Sequence, residues 1–135
     1  MDVIKTIQKL VYEQLYGRDF GADVGVYSCP PREVGFPYIL ISMEESEAGQ
    51  NFGYDAVIMK MKIKVLDRNE NNIRILGISG SVLEEITNLG GISFENLRIV
   101  SIFFTGSELK LYSEIDPTWS NELDFRLLVK RIIFQ

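Results

Sequence analysis

The stretch that most constrains this chain runs from Val57 to Val65, where Val57, Met59, Met61, Ile63 and Val65 occupy the odd positions and Lys60, Lys62 and Lys64 stand between them. That is a period of two. A strand with this pattern buries one face and shows a row of ammonium groups on the other, so its sheet is covered on one side only. The expected framework is an antiparallel sheet with a second face open to partners.

The flanking sequence supplies what covers the buried face. Val3, Ile4, Ile7, Leu10, Val11 and Leu15 recur at three- and four-residue spacings, which predicts an amphipathic helix over residues 2–16, ended by Gly17. A second helix is predicted after the turn at residues 67–72, with Asn71 or Asn72 as its cap. Ile75, Leu76, Ile78, Val82, Leu83 and Ile86 form its stripe, with Glu84 and Glu85 on the opposite side. Gly77 and Gly80 fall inside that helix at a cost of about 1 kcal/mol each, and close packing on the sheet is the expected reason. Strands are predicted at 24–28, 38–43, 54–66, 97–105 and 119–133, with a proline-bearing loop at 29–37 that cannot donate backbone hydrogen bonds at three positions. The order helix, strands, helix, strands is α+β: a largely antiparallel sheet with two helices packed on one face. The pairing of the strand-like pieces within residues 97–118 is left open by the sequence.

The chain has 135 residues, enough for a single domain spanning 1–135 with a core of its own. No run approaches the roughly 18 uninterrupted apolar residues that would cross a bilayer, and nothing in the first residues suggests secretion. The expectation is therefore a protein of a reducing cytoplasm with no membrane partner. Histidine is absent and Cys29 is the only cysteine, so the usual zinc and iron ligand sets cannot be assembled and no internal disulfide can form. The same absence removes the base of most nucleophilic triads. Cys29 reads as a small packing residue, and Glu44, Glu45 and Glu47 match the spacing of no ion-binding loop. Gly77-Ile-Ser-Gly80 is a poor phosphate cradle, because such loops precede a helix and are followed by lysine. No cofactor, metal or catalytic residue is predicted.

Charge gives the surfaces. The net charge of −5 argues against a sequence-reading nucleic-acid protein, since phosphate contact needs a cationic surplus. Lys60, Lys62 and Lys64 are expected to pair with Glu122 and Asp124 of the last strand if the two strands are neighbours. Residues 44–53 are acidic, carry glycine, and contain Phe52 as the one large apolar residue. They read as a long hairpin loop of the kind that is functional or mobile.

These elements in this order resemble the small tail-completion or tail-terminator proteins of long-tailed bacteriophages. The resemblance is carried by the N-terminal helix, the Val-Tyr strand, the proline-bearing loop into Phe36-Pro-Tyr-Ile-Leu-Ile41 and the polar hairpin into the lysine-alternating strand. It continues through the helix after Asp67-Arg-Asn69 and through Asp116 to Trp119 leading into Leu123-Asp-Phe-Arg-Leu-Leu-Val129. It covers nearly the whole chain. It implies a non-enzymatic structural protein that forms a hexameric ring, caps the tail tube and helps join tail to head. Its partners would be other copies of itself, the tail tube protein and the head–tail connector, with DNA passing non-specifically through the ring. Its place would be the virion tail or neck, assembled in the host cytoplasm. On that reading the hairpin projects toward the tube or the next subunit, so Glu44, Glu45, Glu47, Gln50, Asn51, Phe52 and Tyr54 are the candidate interface. Lys60, Lys62, Lys64, Glu122 and Asp124 are the candidate lumen or inter-subunit charge row. A head-completion or neck protein of the same assembly is one alternative. A small α+β ligand-binding domain with a cleft between helices and hairpin is another.

Overall fold

The alternation in the middle of the chain sets the two faces of one sheet. The computed structural model describes residues 3–29, 35–45, 56–113 and 115–132. Its elements are α1 (Val3–Tyr16), β1 (Gly25–Tyr27), β2 (Tyr38–Glu45), β3 (Ala56–Arg68), α2 (Ile73–Thr87), β4 (Ser93–Phe94), β5 (Leu97–Leu111) and β6 (Thr118–Arg131). The strands form a six-stranded sheet in the order β1-β2-β3-β6-β5-β4. Only the short β1–β2 pair is parallel; the others are antiparallel. The fold is α+β, as the sequence predicts.

Met59, Met61, Ile63 and Val65 of β3 and Leu123, Phe125, Leu127 and Val129 of β6 are all buried and point to the same side. Against them lie Ile7, Leu10, Val11 and Leu15 of α1 and Ile75, Ile78, Val82 and Ile86 of α2, in one hydrophobic cluster. The helix layer is fixed by polar ties as well as by burial. Gln14 Nε2 of α1 donates to Glu85 Oε2 of α2 at 2.5 Å, and the Arg18 guanidinium donates to the other oxygen of the same carboxylate. Glu85 therefore faces α1, not the outer side of α2. The Gln14 hydrogen bond holds its carboxyl below the usual range; burial opposes this, and Arg18 reinforces it.

At the other end of α2, the carboxylate of Asp67, fully buried at the end of β3, accepts two hydrogen bonds from Arg74, at 2.9 Å from Nε and 2.5 Å from Nη2. Asn71 Oδ1 accepts the backbone N–H of Ile73 at 3.0 Å, while Asn72 makes no side-chain cap. Asn121, the one polar interruption of the apolar face of β6, is explained by α2: its amide donates to Ser79 Oγ at 2.9 Å, and that hydroxyl donates to the Ile75 carbonyl. Past the helix, Gly91 adopts φ +84, a left-handed geometry that favours glycine, and its N–H donates to the Ile99 carbonyl.

Three expectations need correction. Gly77 and Gly80 face open space, so packing on the sheet does not explain them, and Leu76 is half exposed beside them. β2 continues through Glu44 and Glu45, and β3 runs on to Arg68; the acidic pair thus lies within a strand. β5 does not stop at Thr105 but extends to Leu111, pairing with β6 throughout. Register shifts around Val100 and Thr105 let it do so. Each bulge resets the alternation, so the residues on the helix side are Leu97 and Ile99, then Ile102 and Phe104, then Ser107, Leu109 and Leu111. A pattern broken twice in that way no longer reads as one strand.

Candidate functional site

The helix-free face of the sheet carries a dense array of charge. In register across β2, β3 and β6, Glu44 stands opposite Lys60 and Lys60 opposite Arg126; Ser42 stands opposite Lys62 and Lys62 opposite Asp124; Lys64 stands opposite Glu122. Glu122 is the hub. Its carboxylate oxygens lie 3.0 Å from Lys62 Nζ and 3.8 Å from Lys64 Nζ. The hydrogen bond and charge of Glu122 hold the Lys62 ammonium above its usual pKa, with Asp124 and Glu44 adding to the effect against a small desolvation cost.

Lys60 is different. It has a like charge, Arg126, directly opposite, an arrangement that disfavours pairing on its own. Among the described residues neither makes an ion pair. The two cations, with Ser42, Glu44, Lys62 and Asp124, border an open hollow of about 590 Å³. Farther along, Arg98 of β5 stands opposite Lys130 of β6, another uncompensated like pair on the same face. A protein of net charge −5 thus concentrates cations on its bare sheet face.

Of the candidate interface residues, Glu44 is exposed on that face and Glu45 pairs in register with Met59. Glu47, Gln50, Asn51, Phe52 and Tyr54 lie outside the described residues. The structure brings Lys62, Lys64 and Glu122 into contact, places Asp124 beside Lys62, and leaves Lys60 flanked by Glu44 and Arg126. Cys29 is exposed and unpaired, which corrects the packing role expected for it. Among the described residues no three metal-ligating side chains cluster, and no helix is long and apolar enough to cross a membrane.

The surface that sequence reasoning missed is the far half of β5. Strand β4 covers its outer side only at Leu97 and Arg98. Beyond that, Val100, Phe103, Phe104, Leu109 and Leu111 are exposed, Phe103 by 61%. Tyr112 and Ile115 extend the apolar surface into the turn toward β6. Phe104 rests on Phe125 at 5.6 Å between ring centroids yet stays 41% exposed. The signal available in the sequence was the density of apolar residues around Gly106 without the alternation that would have placed them.

No protein-family model matches the chain, and no curated protein matches it. Solved structures do. A chain of the virion of a native gene transfer agent particle superposes with a TM-score of 0.76 at 18% identity, covering 96% of this chain and 99% of that one. The bacteriophage SPP1 gp17 protein superposes with a TM-score of 0.56, also at 18% identity, covering 91% of this chain and 88% of that one. The chain shares its fold with proteins of phage-type particles. At such identities the likeness is one of architecture, and it extends over nearly the whole length of each partner.

Proposed function

We propose that this chain is a non-enzymatic structural protein of a phage-type particle: a tail-completion protein that forms a homo-oligomeric, hexameric ring, caps the tail tube and helps join tail to head. The observation that carries this reading is the near end-to-end match to a chain of a gene transfer agent virion, 96% of one against 99% of the other. The surfaces support it. A long apolar strand edge and a charged open sheet face are contact surfaces, and such a protein meets copies of itself, the tail tube and the head–tail connector. The cations of the open face, Lys60 and Arg126 first among them, suit the wall of a channel through which DNA passes without being read. Its site of action is the tail or neck of the particle, after assembly in the host cytoplasm.

The test is deletion of the gene in a particle-producing host. The expected result is separate heads and tails, with tails of irregular length, restored by the gene supplied in trans. Normal joined particles from the deletion strain would overturn the reading.

A further inference from the structure

The sheet has two unlike open rims. On one side, among the described residues, β4 leaves the outer rim of β5 without a partner strand beyond Arg98, and the stretch 101–104 between its two bulges sets Ser101 and Phe103 on the helix-free face and Ile102 and Phe104 on the helix face. On the other side β1 pairs with β2 only through Leu40, so among the described residues β2 has no outer strand over residues 41–45. There Ser42 and Glu44 share the helix-free face while Ile41 and Met43 share the helix face. The alternation of the two rims matches.

We propose that these rims join: residues 101–104 of one copy add as a strand to residues 41–45 of the next, and Phe104 seats in the hollow above the β2 rim. This rests on the ring reading above and names the contact that closes it.

Three observations single out a second copy as the occupant. The first is shape. Beside Ile41, a hollow of about 190 Å³ is lined by Gln8, Lys9, Tyr12 and Ser28, on the flank of α1 away from α2. It is on the scale of one large side chain, and the β5 rim presents Phe104 on the matching face. The second is charge. Glu44 has no cation within ion-pairing distance among the described residues, and Arg98, Arg126 and Lys130 on the β5 side have no carboxylate. These groups already share the helix-free face within one copy, and joining the rims sets Glu44 of one copy across the seam from the cations flanking β5 of the next. The third is geometry. Two different patches on opposite rims of one sheet make a head-to-tail contact, the kind that propagates into rings, whereas a self-complementary patch stops at a dimer. A long apolar edge left bare is also a template for uncontrolled pairing, so a defined partner resolves a liability of the fold.

The test uses two variants of the full chain. F103K/F104D disables the β5 rim, and Q8W fills the hollow on the β2 side. Wild type is expected to give a single closed oligomer by native mass spectrometry. Each variant, with unchanged circular dichroism, should need about 30-fold more protein to assemble, the loss expected for one central contact residue. An equimolar mixture should give dimers and nothing larger, because one good rim of each kind remains. A variant that keeps the wild-type mass, or a mixture without dimers, overturns the rim contact while leaving the ring intact. A wild-type chain that stays monomeric at every concentration overturns ring and contact together. Should a variant fail to fold, hydrogen exchange on the wild type decides: outward amides of 101–104 that slow on assembly support the contact, and ones that do not refute it.

Discussion

The β3–β6 seam and the far half of β5 are built from the same kinds of residue and stand in opposite surroundings. Leu123, Phe125, Leu127 and Val129 of β6 are paired on both sides and roofed by α2. Phe103, Phe104, Leu109 and Leu111, on the next strand of the same sheet, are exposed and, among the described residues, have no outer strand. The difference lies in coverage, not composition. An apolar side chain stabilises the monomer in the first region and is available to a partner in the second, so the two should respond oppositely to substitution.

The largest expected effect separates the regions directly. Leu127→Ala should cost about 2–5 kcal/mol in urea unfolding of the dilute chain, whereas Phe103→Ala should stay within about 0.5 kcal/mol. Equal losses at the two sites would erase the distinction. Next is Arg74→Met, which strips the buried Asp67 carboxylate of its partner. The expected loss is about 3 kcal/mol, at the low end for a broken buried pair because the guanidinium itself is 40% exposed. A change below about 1 kcal/mol would mean that water already serves Asp67.

A pH-dependent prediction follows for Glu85, which joins the two helices over the covered region. Its folded pKa lies below the ordinary 4.5, so its contribution is fully present above that value and is lost as pH falls through the folded pKa. The stability gap between wild type and Glu85→Gln should be constant from neutral pH down to about 5 and close below about 4.5. A gap that persists unchanged in acid would assign it to packing. The smallest effect belongs to the open face: Lys62→Ala removes a half-exposed pair with Glu122 and should cost no more than about 1 kcal/mol.

How much of this was legible depended on whether a residue's periodicity survived. Val57 to Val65 kept a clean alternation, and the sheet, its covered face and the two helices follow from it. The adjacency of β3 and β6 follows as well, since Lys62 and Lys64 meet Glu122. Asn121 broke its face for a reason the sequence could not show, a hydrogen bond to Ser79 forty-two positions earlier. β5 was only half visible, because the bulges at Val100 and Thr105 shift its phase twice and hide a fifteen-residue strand as two fragments. The bare rim was invisible for a different reason: exposure depends on β4 being two residues long, which no property of β5 encodes. The glycines of α2 misled, since glycine signals close approach and open surface alike.

The central claim is that this chain is a ring at the junction of a phage-type particle, and imaging the particle tests it most directly. Cryo-electron microscopy of complete particles, with the chain located by a fused tag, should show a closed ring of six copies between tail tube and head. Complete particles in which the tagged chain is absent from that junction would contradict the account.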